Sequence, residues 1–350
     1  MASAQEIAAS VLKLTDEEFF GADSSALNRR ERQLMDAGFV GVAANAPTAI
    51  NIDKFGELPI VIASRCSGKR AWDVPLRENC FLVGTNLRDA SVSFGRPFVT
   101  ERELASRGGR VKREKGPAPD NLPTAAATVR RFDARQKLKM KWQPGSWSLG
   151  VIHYDWGSNT VTVKLTREKP EEEAPVPKRV VDPEPNLAGV VKGGVLKKPV
   201  ESLPCYSPMS RTPKIAKPGA AFAVEHVFGQ GAAASLSIYG AFLTTVRDYH
   251  LPGRGARYKF ADGQEETVAA VVPITLALVD VGCKHPYRYD WAVPIYGKDE
   301  LRPGAPTKGY FALAVGGEGP KLPPGKYAAY VIVDGMICGP EMLESKVVAP

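Results

Sequence analysis

The sequence predicts a mainly β protein: two tandem antiparallel β-sandwich domains, of jelly-roll or Ig-like type, with a short helical N-terminal arm. Three observations lead there. Short β-branched and aromatic runs bounded by Gly, Pro, Asn or Asp recur from about residue 58 onward. A proline-rich stretch separates an early series of these runs from a late one. Two short phrases also recur in the same order on both sides of it.

Residues 1–45 read as the helical arm. Thr15 and Glu18 have capping-box spacing, and the amphipathic pattern over 26–37 stops at Gly38. Such helices either pack on the first domain or act as an arm that docks on a neighbouring subunit. The first sandwich is expected over 46–167, with strand-like runs at 59–62, 81–83, 90–94 and 160–165. Residues 168–219 hold ten prolines and few aromatics, the composition of an extended linker. Strand-like runs resume at 222–225, 236–239, 274–279 and 310–313, which sets the second sandwich over 220–350. Strands and helices do not alternate, so a doubly wound parallel sheet is disfavoured.

The recurring phrases are Trp72-x-Val74-Pro75-Leu76 with Trp291-x-Val293-Pro294-Ile295, and Pro144-Gly145-x-Trp147 with Pro324-Gly325-x-Tyr327, each of the second pair followed downstream by Val-Ile. Pro-Gly makes a turn, and the aromatic after it can cover a sandwich core. If the phrases mark a duplication, the first copy carries extra residues that largely coincide with 101–141, a basic insertion on a shared scaffold.

The net charge of +8 comes from 46 Lys+Arg against 38 Asp+Glu, and residues 101–141 hold 12 of the former and 5 of the latter. Candidate polyanion-binding residues are therefore Arg107, Arg110, Lys112, Arg113, Lys115, Arg130, Arg131, Arg135, Lys137, Lys139 and Lys141. The last four alternate with other residues, and a period of two predicts a strand that shows them as one cationic row. Such a row neutralises phosphates and releases counterions. The same pattern also fits a solvated strand whose lysines block edge pairing. Trp142, Trp147 and Trp156 lie nearby in sequence and are candidates for stacking on bases or sugars.

Catalytic signatures are missing: there is neither a nucleophile elbow nor a phosphate-binding loop motif, and no motif calls for a cofactor. His226, His250, Cys283 and His285 form the one set that could gather round a metal, at spacings that match no tight ligand signature. Five scattered cysteines argue against a disulfide framework and for the cytoplasm or another reducing compartment, a virion included. No basic cluster followed by an apolar run marks a classical secretion signal, and no apolar run is long enough for a membrane span.

These features converge on a non-catalytic structural or assembly protein of coat, shell or filament type, viral capsid-like in one instance. It would self-associate as a homo-oligomer, with the basic segment on a polyanion such as RNA or DNA. Two readings stand beside it: a glycan-binding or other ligand-binding module using exposed tryptophans, and a metal-dependent enzyme using the His/Cys set.

Overall fold

Antiparallel sheets dominate the computed structural model, which describes residues 6, 10–21, 24–99, 119, 121–168, 215, 217–227, 235–251, 257–259, 265–283, 285–296, 301–316 and 322–345. The chain divides into two units: Met1–Glu171 with Val281–His285, and Glu172–Asp280 with Pro286–Pro350. No helix among the described residues is long and apolar enough to cross a membrane.

The first unit begins with α1 (Asp16–Phe20) and α2 (Ser24–Asp36). The capping box at Thr15 forms as the sequence predicts. The Glu18 N–H donates to Thr15 Oγ1 at 3.2 Å, and the Thr15 N–H to Glu18 Oε2 at 2.9 Å. Gly38, at φ +66, takes the chain out of α2. Then follow β1 (Gly41–Asn45), β2 (Ala49–Asn51), β3 (Pro59–Cys66), α3 (Gly68–Asp73), α4 (Leu76–Asn79), β4 (Cys80–Asn86) and β5 (Val92–Gly95). The unit continues with β6 (Ala126–Asp133), α5 (Ala134–Leu138), β7 (Gly145–His153), β8 (Trp156–Gly157) and β9 (Val161–Thr166). One sheet has the order β1-β3-β6. The other has the order β2-β9-β7-β4-β5, with β8 paired to β7. Among the described residues of this unit, every pairing is antiparallel except β2 with β9.

Strand β3 explains how the layers stack. It is buried at nearly every position because both of its faces are covered. Ile60 and Ile62 point into a core shared with Leu82, Leu149, Val151, Val163 and Leu165 of the second sheet. Val61 and Ala63 point the other way, into a cluster with Leu12, Phe19, Leu34, Phe39 and Val129. The N-terminal helices thus form a third layer on their own unit. The expectation of an arm reaching a neighbouring subunit gives way to packing in cis, since the apolar stripe of α2 is already buried.

The second unit holds β10 (Gly219–Val227), β11 (Ser235–Thr245), β12 (Arg257–Lys259), β13 (Glu265–Val279), β14 (Tyr287–Tyr296), β15 (Pro306–Gly316), β16 (Gly325–Val333) and β17 (Met336–Ser345). Its sheets run β10-β11-β15 and β12-β13-β16-β17, with β14 also on β13. Phe222, Ile238, Phe242 and Phe311 of the first pack with Ile274, Leu276, Leu278, Tyr327, Ala329 and Val331 of the second in one core.

The units share a strand order. The pairings β1-β3-β6 and β5-β4-β7-β8 recur as β10-β11-β15 and β14-β13-β16-β17. Strands β7 and β16 each open on a glycine with positive φ, Gly145 at +153 and Gly325 at +159. Each is followed by a residue in the left-handed region, Tyr154 at +51 and Asp334 at +48. The Pro-Gly-x-aromatic phrase therefore marks equivalent strands. The Trp-x-Val-Pro phrase does not, because Trp72 lies in α3 whereas Trp291 lies in β14. The extra length in the first unit falls between β5 and β6, at 96–125, where the second unit has 297–305 between β14 and β15. Residues 126–138 thus belong to the scaffold, as β6 and α5, and only the earlier part of the basic stretch is an insertion.

Candidate functional site

The strand expected over 135–141 is a helix. Asp133 caps α5, its side chain accepting the Arg135 N–H at 3.0 Å, and Ala134 and Leu138 face the core one turn apart. Lys139 then closes the helix in the left-handed conformation at φ +52. Arg135, Lys137, Lys139 and Lys141 consequently do not form a single row. An alternation of this length also satisfies the i, i+4 spacing of a short helix, and the capping aspartate decides between the two.

Three of the predicted cations have partners inside the unit. Arg130 pairs with Glu31 of α2 at 3.0 Å. Arg131 donates to the Phe19 carbonyl and to Glu57. Arg135 donates to the Gly56 carbonyl, with its guanidinium carbon 4.7 Å from the Trp142 ring centroid. These arginines join β6 and α5 to α1, α2 and the segment before β3. Arginine suits such work because its fork reaches several acceptors at once.

Lys139 and Lys141 are exposed and Lys137 is half-buried, and no ion pair joins any of the three to another described residue. Arg107, Arg110, Lys112, Arg113 and Lys115 lie outside the described residues. The root of their segment is described, however. Gly95 ends β5 directly against α5, so that a Cβ there would sit 2.2 Å from the Lys137 carbonyl oxygen. The returning end lies against α3, where a Cβ on Gly68 would sit 2.0 Å from the Pro123 carbonyl oxygen. Only glycine permits either approach.

The tryptophans are not a row of open platforms. Trp147 is buried in the core at 6% exposure, which corrects its assignment as a stacking residue. Trp142 packs on that core and donates its indole N–H to the Ile52 carbonyl at 3.3 Å. Trp156 is half-buried beneath Arg70, whose guanidinium carbon stands 3.6 Å from its ring centroid, and Arg70 is also paired with Asp155. The side chain of Trp291 lies outside the described residues.

Of the proposed metal set, His250, Cys283 and His285 lie among the described residues. His250 is fully buried and both ring nitrogens are engaged: Nδ1 accepts the Arg247 N–H at 3.1 Å, so Nε2 carries the hydrogen that it donates to Asp334 at 2.9 Å. His285 is exposed, and the side chain of His226 lies outside the described residues. Among the described residues, no three His, Cys, Asp or Glu side chains stand where they could hold a metal ion.

Two buried polar clusters stand at strand ends. Asp334, in the turn after β16, accepts hydrogen bonds from Thr244, Tyr249 and His250 while almost wholly buried. The Asp334-Gly335 dipeptide, a hairpin-turn signal, was the one clue to its position. In the first unit, His153 ends β7 in the interior and donates Nε2–H to the Val74 carbonyl at 3.0 Å, with Nδ1 buried and unpartnered. Burial, with the nearby Arg70 charge, pushes its pKa down to about 4. Compared with known proteins, the chain matches no family model and no curated protein.

Proposed function

We propose that this chain is a non-catalytic structural or assembly protein built from two immunoglobulin-like sandwiches, whose first unit holds a polyanion such as nucleic acid while copies of the chain associate. Strand order supports the sandwich reading. In each unit a three-stranded sheet and a larger one contribute alternate residues to a single core. Tyr327, near the start of β16, donates its hydroxyl to the Pro323 carbonyl at 2.8 Å, in the manner of the tyrosine corner of such folds.

One observation carries the polyanion reading. Lys137, Lys139 and Lys141 have no acidic partner among the described residues and stand beside the root of a segment with five cations at 107–115 against one acid, Glu114. Cations left unneutralised beside an insertion are a surface for phosphates, and loops inserted on a rigid scaffold commonly carry binding. Self-association remains the companion part of the reading, in which the covered helical layer takes no part. Size-exclusion chromatography with light scattering tests both parts at once. The expected result is a species well above 37.7 kDa, with a raised 260/280 absorbance ratio before a high-salt wash. A clean monomer free of nucleic acid at all concentrations would sink the reading.

A further inference from the structure

Two edge strands of the first unit lie on the same side of it. Strand β1, at one edge of its sheet, is held to the β8–β9 connection: the Ala44 N–H donates to Asn159 Oδ1 at 3.0 Å and Asn159 Nδ2 donates back to Ala44 at 2.9 Å. The opposite edges, β5 and β6, are bridged by α5, which packs on both. The basic insertion leaves from Gly95 and returns past Pro123, so it arises on this β5/β6 side.

We propose that the phosphate backbone of a nucleic acid runs along the β5/β6 side, and that Lys69, which no sequence pattern singled out, contacts it together with Lys137, Lys139 and Lys141. The inference rests on the polyanion reading given above and adds the face, the chemistry of recognition and one residue. Three observations carry it. First, Lys69 is exposed, has no partner among the described residues, and follows Gly68, the residue against which the returning end of the insertion packs. Second, the two groups of lysines mark the two ends of β6. Cys66, just before α3, pairs with Ala126 at its start, and Asp133, the cap of α5, pairs with Pro59 at its end. An eight-residue strand spans about 25 Å, over which one strand of a duplex carries about seven phosphates. Third, the arginines of β6 and α5 are already engaged by Glu31, Glu57 and the Gly56 carbonyl, which leaves lysines as the charges of this side without an acidic partner among the described residues.

The chemistry also says how the ligand is recognised. Lysine ammonium groups act as point charges on phosphate and read no bases. The nearby tryptophans offer no stacking platform, since Trp147 is buried and Trp142 is held by its indole N–H and covered by Arg135. Binding through these lysines is therefore independent of base sequence, and duplex is accepted because they need no unstacked base.

The test is fluorescence anisotropy with a labelled mixed-sequence duplex oligonucleotide over a series of salt concentrations, on the full chain. Each phosphate contact contributes about 0.9 to the slope of log K against log salt. Lys69→Ser is expected to flatten that slope by about 1, and Lys69→Ser with Lys137→Ser and Lys139→Ser by about 3. Arg130→Ser, which removes the ion pair to Glu31 and a hydrogen bond to the Val129 carbonyl, should leave the slope unchanged. Lys69→Glu, a surface reversal that keeps a long polar side chain, should weaken binding further than Lys69→Ser. An unaltered slope in both Lys69 variants, with wild-type protein binding normally, would overturn the assignment of Lys69 and of this face. A wild-type chain that does not bind the duplex at any salt concentration would overturn the polyanion reading itself.

Discussion

Asp334 shows how a buried carboxylate is kept charged. Burial alone would push its carboxyl pKa up, but hydrogen bonds from His250, Thr244 and Tyr249 outweigh that effect and hold it below the usual 3.8. The Tyr249 hydroxyl lies 2.5 Å from Oδ1 and the His250 Nε2 lies 2.9 Å from the same oxygen. Charge-assisted bonds of this kind are stronger than neutral ones, and losing an acceptor strands a buried donor. Asp334→Asn keeps the shape but offers one acceptor oxygen to three donors. The expected cost is about 2 kcal/mol, read as a lower urea midpoint for the second unit. A change below about 0.5 kcal/mol would mean the cluster is not what holds the β16–β17 turn.

At the scale of elements, the helical layer on β3 is the feature with the clearest energetic consequence. Leu34 is fully buried between α2 and the outer face of the three-stranded sheet. Leu34→Ala should destabilise the first unit by about 2–5 kcal/mol, since it removes buried methyl groups and leaves a cavity between layers. Denaturant unfolding of the variant reads this directly, and an effect under about 1 kcal/mol would indicate a layer that is only loosely seated. The two helices themselves were legible, because Thr15, Glu18 and Gly38 are local signals. Where they pack was not, because an apolar stripe names no partner. Strand β3 shows the converse. Its unbroken apolar run was readable as a strand, but the reason for it, a covered face on either side, depends on residues far away in the chain. The helix at 134–138 is hidden in the sequence for a third reason: five residues contain too little pattern to separate period two from period four, and only the Asp133 cap distinguishes them.

For the whole molecule, the units fasten equivalent turns with different chemistry. In the first, Asp155 after β7 is paired with Arg70 of α3. In the second, Asp334 after β16 is bonded to His250 in the 3-10 turn Asp248–His250. Their titratable groups answer to different pH ranges. Folded His153 stays proton-free down to about 4, while its ordinary value is 6.5. Its contribution is complete above pH 6.5 and declines as pH falls toward 4, by roughly 3 kcal/mol at most. The Asp334 contribution persists to lower pH, being present above 3.8 and lost beneath it. Acid titration followed by Trp fluorescence and far-UV circular dichroism should therefore show the first unit, which contains Trp72, Trp142, Trp147 and Trp156, weakening before the second. His153→Gln should remove the early part of the decline. Simultaneous loss of both units in wild-type protein would count against this assignment. The common strand order was only half legible, because one matched phrase fell on equivalent strands and the other joined a helix to a strand. Of the candidate site, the location of charge was readable and the internal partners of Arg130, Arg131 and Arg135 were not, since Glu31, Glu57 and Gly56 are distant in sequence.

The helices that cover Val61, Ala63 and Val129 precede those residues in the chain, and this fixes an order of events during synthesis. A ribosome delivers residues one after another, and domains tend to fold as they emerge. When β1, β3 and β6 can first pair, α1 and α2 have already left the tunnel and are at hand to seat on the new surface. The same helices placed after β9 would leave an apolar sheet face exposed while the rest of the unit was being made, at the stage when a nascent chain is most prone to stick to its neighbours. The position of the helical layer in the sequence thus guards the sheet from the moment it forms.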